Sequence, residues 1–113
     1  MTFGKSWVNV MAYNIAYTAF AERDLWEIAD YLSEHSIPAM QRLMREVKVH
    51  IAGLAFMPFM YPKIDPGREY RKMVVGSYVV VYLPDESLKQ ITIVRVVHGR
   101  RNYQPELKRG LEC

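Results

Sequence analysis

Cysteine is almost missing from this chain. Its 113 residues hold one, Cys113, and that is the last residue. An internal disulfide is therefore excluded, which suits a reducing cytoplasm, the location expected here. Long apolar runs are missing as well. None approaches the roughly 18 residues of a membrane helix, so no membrane partner is expected. The first ten residues hold one lysine and no continuous apolar core, and do not read as a signal peptide. No GxGxxG or Walker loop occurs, so no nucleotide cofactor is expected. There is no CxxC, and His35, His50 and His98 are too scattered for a ligand motif, so no metal is expected. No nucleophile motif supports a Ser/His/Asp site.

What is present describes a folded globule. Hydrophobic residues make up 50% and aromatics 12%, enough for one modest core. The expected layout is a single domain over residues 11–107, a loose N-terminal extension over 1–10, with Met11 as an alternative start, and a short tail over 108–113. Charge is uneven. Residues 1–60 hold five Lys/Arg against six Asp/Glu, whereas residues 61–113 hold ten against six. A basic C-terminal half points to a polyanionic partner, either nucleic acid or an acidic protein segment.

Hydrophobic spacing predicts the elements. Tyr13, Ile15 and Tyr17 alternate, which predicts a first strand. Thr18 is a helix N-cap, and Ala21, Leu25, Ile28 and Leu32 form one apolar stripe behind it. Ser36 and Pro38 open a second helix with the stripe Met40, Leu43, Met44, Val47, Ile51 and Leu54. Pro58 stops it. A loop over 59–67 leads to three strands: 69–75, 78–83 and 90–97. Gly76-Ser77 is a Gly-first hairpin turn, and Pro84 to Ser87 is a second turn. The order β-α-α-β-β-β predicts an α+β fold. Two helices would pack on one face of a small twisted, mainly antiparallel sheet, leaving the other face open and concave.

The last strand, ITIVRVV, delivers His98, Gly99, Arg100, Arg101, Asn102 and Tyr103 to its own end. Alternation places His98 and Arg100 on one side, with Arg95 and Arg101 on the other. A histidine among cations suits a general base; a histidine closing a strand is the plainer reading. Arg68, Arg71 and Lys72 lie in or just before the first hairpin strand. With Arg95, Arg100 and Arg101 they would form a basic patch able to grip phosphates or carboxylates. Ordinary exposed charge, with stems packed over the sheet, is the alternative. Tyr70, Tyr78, Tyr82 and Tyr103 would stack on bases or simply pack.

The element order, the hairpin YPKIDPGREYRKMVVGSYVVVYLPDE and the closing ITIVRVVHGRRNY resemble the RelE/ParE superfamily, the toxins of type II toxin–antitoxin modules. The likeness covers residues 11 to 107. It implies growth arrest and neutralisation by a cognate antitoxin in a hetero-oligomer. That antitoxin would wrap the toxin as a helix or added strand, with acidic residues pairing Arg71, Arg95, Arg100 or Arg101. Two activities share the fold. The ParE-like branch poisons DNA gyrase through protein contact, and the HGRRNY ending is closer to that branch. The RelE-like branch cleaves mRNA on the ribosome, and there the residue after the tyrosine of the second hairpin strand is typically a catalytic arginine. Here that residue, after Tyr78, is Val79. If the chain were an endonuclease, Lys72, His98, Arg100 and Tyr103 would be its working residues. Arg68, Arg71, Arg95, Arg100 and Arg101 are the expected target- or antitoxin-binding residues.

Overall fold

In the computed structural model, residues 12–99 are described. The elements run β1 (Asn14–Tyr17), α1 (Ala19–Ser33), α2 (Ile37–Leu54), β2 (Arg71–Val75), β3 (Tyr78–Asp85) and β4 (Gln90–His98). The predicted β-α-α-β-β-β order is the observed one. The sheet order is β1-β4-β3-β2, so the last strand in sequence sits between the first strand and the hairpin. β1 pairs with β4 in parallel; the other pairings are antiparallel.

Both helices start where the sequence supplies a hydroxyl. Thr18 is extended, and its Oγ1 accepts the Ala21 N–H at 3.0 Å. The same hydroxyl donates to the Val94 carbonyl at 2.8 Å, which ties the start of α1 to β4. Ser36 accepts the Ala39 N–H at 3.2 Å, with Pro38 in the first turn of α2. The apolar stripes meet the sheet as expected. Ala21, Val47, Ile51 and Leu54 are buried with Met73, Val75, Val80, Tyr82, Ile91, Ile93 and Val96, and Leu25, Ile28 and Leu43 pack against them. Tyr82 is fully buried, and its hydroxyl donates to the Pro58 carbonyl at 3.0 Å.

The hairpin turn is Gly76-Ser77, as the sequence predicts. Gly76 has φ of +60°, the left-handed value that a primed turn needs and a Cβ disfavours. The second turn lies later than expected. β3 runs on through Pro84 and Asp85, paired with Ile91 and Gln90, and the chain reverses over residues 86–89. Proline is tolerated there because β2 ends opposite Tyr82, leaving Pro84 with one strand neighbour. Asp85 closes the turn: its Oδ1 accepts the Leu88 N–H at 3.0 Å and the Ser87 hydroxyl at 2.8 Å.

The face away from the helices differs from the open one expected. Val79, Val81, Val94 and Val97 are buried there, with Ile64, Tyr70 and Leu83 packed against them. Valines at both parities of β3 and β4 give the sheet two apolar faces, and the 59–70 loop covers part of the second.

Candidate functional site

A bulge decides where the β4 side chains point. Val81 pairs with Arg95, but Tyr82 pairs with Ile93, so Val94 is an extra residue. Without the bulge, strict alternation from Ile93 would send Val96 away from the helices. Instead Val96 joins the helix-side core and Val97 the opposite cluster. The bulge precedes Arg95, so residues 95–98 alternate regularly opposite Val81 to Tyr78, and Arg95 and His98 leave the strand on opposite faces as predicted. The Arg95 side chain nevertheless reaches Asp24 of α1.

Arg95 is buried. Its Nε and Nη2 donate to Asp24 at 2.8 and 3.0 Å, a bidentate pair, and its guanidinium lies 5.5 Å from the Phe20 ring centroid. Asp24 Oδ2 also accepts the Val96 N–H at 2.9 Å. β1 stops at the partner of Ile93, so β4 extends beyond it. The Asp24 carboxylate takes up a backbone donor there that a longer β1 would have met. This arginine fastens α1 to the sheet and is not part of an open basic patch. Asp24 was not singled out from the sequence. Its signal was a carboxylate one residue before Leu25, bordering the apolar stripe, together with a lone arginine inside an apolar strand.

Arg71 is also turned inward, beside Tyr82 on the helix side. Its Nη1 donates to the Tyr61 carbonyl at 2.6 Å and the Phe59 carbonyl at 3.3 Å, and its guanidinium stacks 5.2 Å from the Phe59 ring centroid. It braces the loop after α2. Arg68 is exposed in the loop before β2. Lys72 is half-buried in β2 opposite Val81, hence on the face away from the helices. Val79 is buried on that same face.

His98 ends β4 opposite Tyr78, their rings edge to face at 5.1 Å. It lines a cavity of about 660 Å³ with Asp24, Glu27, Tyr31, Ser77 and Tyr78. Burial raises the Tyr78 phenol above its usual range, and Tyr31 adds to that. The structure therefore puts Lys72 and His98 on opposite sides of the sheet. Arg100, Arg101 and Tyr103 lie outside the described residues. Among the described residues no cluster of three or more His, Cys, Asp or Glu could hold a metal, and no helix is long and apolar enough to cross a membrane.

A short helix pair on a β1-β4-β3-β2 sheet is the fold of the RelE/ParE toxins. Solved structures share it, these three among them. One is the RelBE2 toxin–antitoxin complex of Mycobacterium tuberculosis, with a TM-score of 0.56, 21% identity, and coverage of 78% of this chain and 92% of that one. Another is the chromosomal ParDE system of P. aeruginosa, at 0.65 and 14%, covering 78% and 97%. The third is an arginine-to-alanine double mutant of E. coli RelE in the free state, at 0.65 and 14%, covering 88% and 94%. No curated protein matches. The model of the ParE toxin of the type II toxin–antitoxin system parDE matches residues 15–103, and the chain belongs to that family.

Proposed function

We propose that this toxin arrests growth by ParE-like inhibition of DNA gyrase through protein contact, and that a cognate antitoxin neutralises it. One observation carries the mechanism: among the described residues, the candidate nuclease groups do not converge. Lys72 and His98 lie on opposite faces, and Val79 fills with a buried aliphatic group the position where an endonuclease of this fold would carry a cation. In-line cleavage of RNA needs cations and a proton-transfer group gathered about one phosphate. Arg71 and Arg95 are engaged with carbonyls and a carboxylate. Contacts to an acidic antitoxin segment then fall to Arg68, Lys72, Arg100 and Arg101. Strand addition has an edge to use, since β1 pairs on one side only among the described strands.

The test is inducible expression in a bacterial host, with RNA and plasmid topology sampled soon after induction. Relaxed plasmid or gyrase-linked breaks with intact mRNA are expected. Lys72→Ala and His98→Ala are expected to leave growth arrest in place. Rapid ribosome-dependent mRNA cleavage, lost in both variants, would replace this reading with the RelE-like endonuclease.

A further inference from the structure

An unexplained apolar surface lies at the end of α2. Val49, Phe56, Met57, Phe59 and Met60 are large apolar side chains between 45% and 64% exposed within a span of 12 residues. Val49, Met57 and Met60 line a cavity of about 250 Å³ together with Leu54, Gly53 and Tyr61. A clustered apolar surface of this kind is uncommon without an occupant. Methionines suit an occupant of irregular shape, because their side chains adapt.

The described residues begin at this surface. The Tyr13 N–H donates to the Ala55 carbonyl at 2.9 Å, and the Tyr13 ring meets the Phe59 ring edge to face at 6.4 Å. Residues 1–11 therefore join the domain beside Ala55 and Phe59. Their sequence, MTFGKSWVNVM, holds Phe3, Trp7, Val8, Val10 and Met11 and a single charged side chain, Lys5. Eleven residues reach at most about 36–40 Å when extended. The six-residue rise from Val49 to Ala55 along α2 is only about 9 Å. A tethered segment also acts at an effective concentration of order mM, well above that of a free second molecule.

We propose that residues 1–11 are the occupant of this surface, with Trp7 and Phe3 laid against Met57 and Met60. The segment is then a cover of the domain and not a loose extension. The proposal does not depend on the toxin's target.

Methionine-methyl NMR on the full chain tests it. A spin label on Lys5→Cys, in a Cys113→Ser background, is expected to remove most of the Met57 and Met60 methyl intensity. Met44, on the far side of α2, and Met73, in the core, should keep theirs. Trp7→Ser in the full chain is expected to shift Met57 and Met60 while Met73, the folding control, stays in place. Unchanged Met57 and Met60 signals in either experiment overturn the proposal. So does broadening that grows with protein concentration, which would assign the surface to a second copy.

Discussion

The two faces of the sheet are built from similar residues and do different work. On the helix side, Met73, Val80, Tyr82, Ile91 and Ile93 meet α1 and α2. On the other side, Val79, Val81, Val94 and Val97 meet one loop and a few side chains. The cations divide by partner. Arg71, on the helix side, and Arg95, opposite Val81 but reaching α1, are bound to carbonyls and Asp24, while Lys72 stands among the valines. A basic strand is therefore not a basic surface. An arginine with a partner inside the fold contributes to stability, and only those left outside it are available to another molecule.

The strongest way to break this division is Asp24→Ala. It takes the bidentate carboxylate away from buried Arg95 and frees the Val96 N–H, and should lower stability by about 3–5 kcal/mol in urea unfolding. If Asp24→Leu with Arg95→Met recovers most of that loss, the pair serves specificity more than stability. Ile93→Ala on the helix side should cost about 2–5 kcal/mol, whereas Val74→Ala, on the exposed part of β2, should stay within about 0.5 kcal/mol.

Tyr82→Phe leaves the buried Pro58 carbonyl without its donor and should cost about 1–3 kcal/mol. It should also change the alkaline limb. Burial pushes the Tyr82 phenol from 10.0 up to about 12, against the opposing Arg71 charge. Between those values the unfolded chain releases this proton and the native one keeps it, so stability falls as pH rises. Urea midpoints across that range should fall less steeply in Tyr82→Phe. The smallest effect belongs to Asp85, whose carboxyl is held below its usual range by the Leu88 N–H and then by the Ser87 hydroxyl. That stability is present above the usual carboxylate range and is lost as pH falls through the lowered value. Asp85→Asn should flatten the acid limb slightly in the same titration.

The sequence was most informative where one force acts alone. Thr18, Ser36 and Pro38 marked both helix starts, Gly76-Ser77 marked the hairpin, and the stripes of α1 and α2 named the residues that meet the sheet. Periodicity was less informative in β3 and β4, where valine at both parities hides which face is which. It was silent on the bulge at Val94, which re-aims everything after it. The pairing of Arg95 with Asp24 joins residues far apart in the chain, and such a contact leaves only a weak local mark. Pro84 was read as a turn because sequence does not tell an edge position from a central one.

The position of β4 also constrains how the molecule is made. Among the described strands it is the last synthesised, yet it lies between β1 and β3 and makes the contacts with Thr18 and Asp24. Until residues 90–98 are available, β1 has no partner and α1 has no anchor on the sheet. Docking β1 and α1 on β4 must therefore close loops of some 70 residues, and such non-local closure is slow and cooperative. A nascent or prematurely ended chain that lacks β4 holds at most a hairpin and a helix pair. This domain becomes a folded object only once residues 90–98 have been made.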